Sequence, residues 1–260
     1  MTRCTRLLTL AIAGIVAIHS FTLAQLRDPN NSARLLSAGL DVLKAFTISE
    51  RQLMSVASQY AAYSDQQNTI APPSNKYAVR LARLTARHQV EDGLRLKYAV
   101  YLSPTVNAFA LADGNVRVYS GLMDLMTDEE VLGVIGHEVG HVKNNDHKDK
   151  LRTSLLATAA RKAVSTAGGT IGQLAESQLG SLAEGLVNAK FSRTQETDAD
   201  DYGLAFLKRN GYNPRAMATA LAKLAKLSSG GRSSLAQRMF STHPDPQQRA
   251  ARMAKLAAGK

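Results

Sequence analysis

The stretch Thr127–Val142, TDEEVLGVIGHEVGHV, limits what this chain can fold into more than any other. Thr127-Asp-Glu-Glu130 is a capping-box pattern, in which the threonine and the glutamate three residues on satisfy each other's free backbone N–H groups. Its acidic first turn suits the positive end of a helix dipole. The apolar spacing of Val131, Leu132, Val134, Ile135, Val139 and Val142 predicts a helix over residues 128–146. On it His137 and His141, four apart, face the same way. Glu138 lies about 100° around the axis from His137. Both imidazoles can then grip one divalent ion while the carboxylate stands beside it, placed to take a proton from water. A surface helix with two solvated histidines would spell the same letters. The neighbours Val134, Ile135, Gly136, Val139 and Gly140 argue otherwise, because polar side chains inside an apolar helix need partners.

Two histidines need a third protein ligand, with a fourth position open to water if the site is catalytic. The best candidate is Glu196, in the acidic segment Arg193–Lys208, RTQETDADDYGLAFLK, which is expected to be helical. Asp200, one turn later, is expected to accept a hydrogen bond from the free ring nitrogen of a ligand histidine, His137, and so fix its tautomer. Nitrogen and oxygen donors in a 2-His-1-Glu set suit one Zn2+ per chain. Glu138 is the candidate general base.

The rest of the chain reads as α+β and mainly helical. Ser49-Glu-Arg-Gln52 is another capping box, followed by Leu53, Val56 and Ala57. Ala71-Pro-Pro-Ser74 punctuates, and Tyr77, Leu81, Leu84 and His88 recur at helical spacing. His88 reads as a helix-surface or core-edge residue without a metal role. Residues 97–119 are rich in strand formers, and Asp113-Gly114 marks a hairpin, so a small antiparallel sheet is expected beside the metal-binding helix. Residues 152–191 read as helix, break at Gly168-Gly169, helix. Asn213-Pro214 opens another helix, SSGGRSS at 228–234 reads as a mobile loop, and a last helix follows Pro244-Asp-Pro246. No internal repeat is visible.

The N-terminus is separate in character. Arg3 and Arg6 precede the apolar run Leu7–Ile18, and small residues end at Ala24. This is the pattern of a secretory leader over residues 1–24, cleaved to leave Gln25 first, with an uncleaved anchor as the alternative. Residues 25–70 form an expected N-terminal helical segment. The single cysteine, Cys4, would depart with the leader, leaving no disulfide and no lipid-accepting thiol. The formal charge is +11, or +9 without Arg3 and Arg6. The basic residues are spread out, there is no tryptophan, and no aromatics interleave with them, which argues against nucleic acid as a partner. Solubility and attraction to an anionic membrane surface fit better.

The segments NAFA, RVYSGLMDLMTDEEVLGVIGHEVGH, FSRTQETDADDYG and HPDPQQR, in this order, resemble the exported zinc metallopeptidases of the HtpX, BepA and LoiP family. The resemblance runs from about Ala71 to Arg252 and implies a zincin-like metallopeptidase domain over residues 71–260. It implies zinc held by His137, His141 and Glu196, with Glu138 as base. It also points to His243, which either donates to the oxyanion or swings onto the open zinc position and holds the enzyme off. Arg249 is expected to orient His243 or a substrate carbonyl. Asn107, Ala108, Phe109 and Ala110 are expected to form an edge strand to which an extended substrate adds. Residues 152–191 are a candidate lid. Lipoprotein members of the family carry a cysteine after the leader where this chain has Gln25, so a soluble periplasmic form is expected, without a lipid anchor and at most peripheral to the outer membrane. The implied activity is an endopeptidase acting on unfolded or misfolded envelope proteins, outer-membrane proteins among them. The alternative is a non-catalytic chaperone that uses the same cleft.

Overall fold

The structure, a computed structural model, describes residues 48–163, 176–229 and 233–259. The expected leader, residues 25–47 of the 25–70 segment and the Gly168-Gly169 break lie outside the described residues. Residues 48–155 and 170–260 belong to one compact unit, which carries the site described below.

Helix α1, Glu50–Gln66, starts with the expected reciprocal cap between Ser49 and Gln52 and buries Leu53, Val56 and Ala57. After the proline turn, α2, Lys76–Thr85, is capped by the Asn75 side chain and buries Leu81 and Leu84. His88 lies past its end and is wholly buried, deeper than its spacing suggested. Strands β1, Val90–Glu91, and β2, Leu94–Arg95, form a short hairpin.

A three-stranded sheet follows, built from β3, Lys97–Tyr101, β4, Ala108–Ala110, and β5, Asn115–Tyr119, in the order β3-β5-β4. The hairpin at Asp113-Gly114 pairs β4 and β5 antiparallel, as its sequence demands. Gly114 has φ +81°, and a Cβ there would strike the Arg95 carbonyl, so this turn needs glycine. The sheet is mixed, because β3 pairs parallel with β5. The chain reverses at Ser103-Pro104, so β3 and β4 run opposite ways, and β5 inserts between them instead of β4 folding back on β3. That leaves β4 at an edge.

Helix α3, Ser120–Leu125, leads into α4, Asp128–Lys143, whose Thr127–Glu130 capping box forms as expected. The helix stops three residues short of expectation, because Asn145 takes a left-handed φ of 65°. The chain then re-enters helix as α5, Asp146–Ala163. From Leu156 onward α5 falls in a second compact unit. Then come α6, Glu176–Asn188, α7, Arg193–Arg209, and α8, Arg215–Ser229. An unforeseen helix α9, Ser233–Thr242, takes up the end of the supposed SSGGRSS loop, of which 230–232 lie outside the described residues. The last helix is α10, Pro246–Ala257. Among the described residues no helix is long and apolar enough to cross a membrane.

The core joins β3–β5 to α4, α7 and α8 through Val116, Val118, Leu132, Ile135, Phe206, Leu207 and Met217. Helices α4 and α7 approach closely because α4 is small where they cross. A Cβ on Gly136 would come within 2.9 Å of the Phe206 ring and 3.2 Å of the Gly203 Cα. That approach brings Glu196, at the start of α7, to the face of α4 that carries the histidines.

Candidate metal centre

His137, Glu138 and His141 project from the middle of α4, and each is buried. Glu196 reaches them from the first turn of α7, whose start is fixed by a reciprocal cap between Ser192 and Gln195. His243 arrives from the turn between α9 and α10. One donor atom each from His137, His141, Glu196 and His243 lie within 4.8 Å of one another.

The hydrogen bonds around the rings determine where their lone pairs point. Asp200 Oδ1 is 3.0 Å from His137 Nδ1, as the spacing of α7 predicted. Asp146 Oδ2 is 2.8 Å from His141 Nδ1. Ionised carboxylates only accept, so both Nδ1 atoms donate, and both Nε2 atoms carry lone pairs. Those two Nε2 atoms face each other at 3.1 Å. Glu196 brings Oε1 to 3.5 Å from His141 Nε2 and Oε2 to 3.7 Å from His137 Nε2. Lone pairs and a carboxylate converging on one point repel unless a cation stands between them. Donors on a tetrahedral zinc, with bonds of about 2.0–2.1 Å, lie about 3.3 Å apart, and these spacings bracket that value. The residues therefore fit one Zn2+, held by His137, His141 and Glu196 with His243 in reach as a fourth donor.

His243 Nδ1 is 2.8 Å from Glu196 Oε1 and 3.3 Å from His137 Nε2, while its Nε2 is 3.6 Å from Glu138 Oε1. Of its two expected places, the ring occupies the one over the metal position. Arg249 is not turned to His243 or to an open surface. Its guanidinium grips Asp200 through two bonds, of 2.9 and 2.7 Å, and contacts Glu196 as well. It holds Asp200, which orients His137, and Glu196, itself a candidate ligand.

Burial raises the Asp200 carboxyl, but Arg249 and His137 outweigh it and bring it down to about 2. Glu196 is likewise raised by burial and pulled well below the usual carboxylate range by His243, His141 and His137. Burial lowers His137, with Arg249 adding to the effect. Burial also lowers His141, but Asp146 and Glu196 more than reverse that. Glu138 goes the other way from its acidic neighbours: burial raises it. Its Oε2 accepts a bond from the Ala110 N–H at 3.1 Å.

That bond ties β4 to the centre. The Asn107 carbonyl and the Leu111 N–H bond to β5, so by alternation Ala108 and Ala110 turn their backbone groups to the free edge. Asn107, Ala108, Phe109 and Ala110 all line the cavity beside Glu138.

Three residues around the site were not foreseen. Asp146 orients His141, and Phe191 stacks on the His141 ring at 3.9 Å between centroids. His147 stands edge-on to Phe191, with Nε2 4.0 Å from Glu138 Oε2. Asp146 and His147 follow the second histidine by five and six residues. Their sequence signal was only an acid and a histidine close behind the motif, and their facing depends on the break at Asn145.

Residues 77–257 match peptidase family M48. Metalloprotease LoiP of Escherichia coli (strain K12) is 44% identical over 221 residues, which span 85% of this chain and 86% of that protein. Metalloprotease YcaL of the same strain is 41% identical over 227 residues, 86% of this chain and 88% of that protein. Mitochondrial metalloendopeptidase OMA1 of Arabidopsis thaliana is 32% identical over 166 residues, covering 63% of this chain and 32% of its own length. Relatives that span most of the chain, together with four convergent donors on a capped H-E-x-x-H helix, make this protein a zinc metallopeptidase of family M48.

Proposed function

We propose that this zinc-dependent endopeptidase is exported and cuts misfolded or damaged proteins of the periplasm and outer membrane. The N-terminal Arg3, Arg6 and Leu7–Ile18 pattern supports export, and the charge of +9 left without Arg3 and Arg6 favours residence near anionic surfaces. Main-chain pairing at β4 suits a broad range of unfolded chains, because it is indifferent to side-chain identity.

Zinc, when bound, supplies an acidified water and a polarised scissile carbonyl. His137, His141 and Glu196 hold it. Asp200 and Asp146 keep both rings in the ligating tautomer. Glu138 accepts the attacking water's proton and returns it to the leaving amine. One observation carries this reading: a wholly buried glutamate, its proton affinity raised by burial, stands beside the ligand cluster and the edge strand at once. An extended substrate lies along β4, using the edge groups of Ala108 and the carbonyl of Ala110, whose N–H is given to Glu138. His243 would be a fourth donor in reach of the metal position, one that an entering substrate would have to displace.

The test compares casein cleavage by the wild type and Glu138→Gln at equal zinc content. A loss of about 10²–10⁴-fold in rate with zinc retained is expected. Equal cleavage by the two proteins removes Glu138 as base. Zinc-loaded wild type that suppresses aggregation of a client without cutting it would favour the chaperone instead.

A further inference from the structure

Two cavities of opposite character flank the centre, and Glu138 and His243 stand in the walls of both. One is apolar, formed by Met217, Leu221, Leu224, Met239 and Phe240. The other runs along β4 and is lined by Tyr60, His147, Lys150, Phe191 and Arg238. Glu138 is the one acid among its described lining residues.

Lys150 in the second cavity differs from the other inward-turned cations. Lys148 has Glu50 at 3.1 Å, Lys223 has Glu130 at 2.6 Å and Arg117 has Asp65 at 2.8 Å. Among the described residues, no carboxylate lies within ion-pair distance of Lys150. Its ammonium instead sits 4.2 Å over the Phe191 ring. His147, with a side chain only 10% exposed, has a buried Nε2 with no hydrogen-bond partner. Its closest acid, Glu138, is 4.0 Å away, beyond hydrogen-bond reach. Arg238 joins them, donating at 3.4 Å to the Tyr119 hydroxyl. A buried polar nitrogen without a partner, here His147 Nε2, is costly and calls for an explanation; Arg238 is exposed and reaches the cavity from its rim.

Resting on the endopeptidase reading above, we propose that the β4-side cavity is a substrate subsite for a carboxylate, with Lys150 as its charge and His147 and Arg238 as further donors. The carboxylate belongs to an aspartate or glutamate side chain close to the scissile bond, or to a free chain terminus. Because the cavity shares a wall with Glu138 and borders β4, a peptide paired along that strand carries the group past Lys150. Burial pushes the Lys150 ammonium down to about 8, and a bound carboxylate would restore its proton affinity. The subsite adds a charge filter to main-chain recognition that by itself reads no sequence.

The test uses the zinc-loaded full chain and matched fluorogenic peptides with Glu, Gln or Lys at each position around one cleavable bond. Each peptide is made with a free and with an amidated C-terminus. The wild type is expected to prefer Glu over Gln by about tenfold in kcat/KM at one position, or the free over the amidated terminus by the same factor. The arm that shows the preference identifies the source of the carboxylate. In Lys150→Gln the ratio is expected to fall to about one, and Lys150→Glu to turn the preference towards the Lys peptide. Salt should weaken the wild-type preference. A wild type that cuts the Glu, Gln and Lys peptides alike, and free and amidated termini alike, overturns the inference, and so does a ratio that survives both substitutions. Failure to cut any peptide or casein would instead strike the endopeptidase reading, so the two failures are distinguishable.

Discussion

His88 and the pair His137 and His141 are all buried, yet the surroundings give them opposite roles. At His88 each ring nitrogen has a partner. Glu91 Oε1 lies 2.6 Å from Nδ1, which must donate, and the Tyr212 hydroxyl lies 3.0 Å from Nε2. Arg87 donates to that same hydroxyl oxygen at 2.9 Å, leaving the phenol proton for Nε2. The site is closed by hydrogen bonds alone. In the α4 pair, carboxylates satisfy both Nδ1 atoms, and the two Nε2 lone pairs meet head on. Burial therefore does not distinguish a ligand from a core histidine. What distinguishes them is whether the second nitrogen is left facing another acceptor.

The comparison can be broken by substitution, beginning with the largest expected effect. His141→Ala should abolish stoichiometric zinc and lower casein cleavage by at least about a thousandfold, the several kcal/mol that a catalytic metal supplies. Near-normal zinc by metal analysis would show that the pair is not the ligand set. His88→Ala should cost about 2–3 kcal/mol in urea unfolding of the zinc-saturated protein, by opening a cavity and removing one hydrogen-bond partner each from Tyr212 and Glu91. Its zinc content should match the wild type, and a drop would erase the distinction between the two sites. Asp146→Ala should weaken zinc binding by about 10–100-fold in a competitive chelator titration, because His141 loses the acceptor that fixes its tautomer. No change would mean that stacking on Phe191 suffices to hold the ring.

The local parts of this architecture were legible in the sequence. Capping boxes at Ser49, Thr127 and their helices follow from side chains three residues apart. The Asp113-Gly114 hairpin depends on one left-handed residue. His137, Glu138 and His141 are placed by helical period alone, and Glu196 and Asp200 share a helix face for the same reason. The end of α4 was misjudged by three residues because Asn145, not a glycine or proline, makes the turn. The parallel pairing of β3 with β5 was hidden, since it joins segments whose order in the sheet no local pattern states.

By itself, the sequence determined the metal-binding helix, the donor chemistry and the family, because period, capping and residue type act over a few residues at a time. Only the tertiary structure decided that Arg249 braces Asp200 and Glu196, that Asp146 serves His141, that His243 covers the metal position, and that Lys150 faces the cleft with no carboxylate among the described residues within ion-pair distance. Each of those depends on which distant side chains share a buried space. There the cost of an unpaired charge or lone pair selects the partner, and that selection is made in three dimensions.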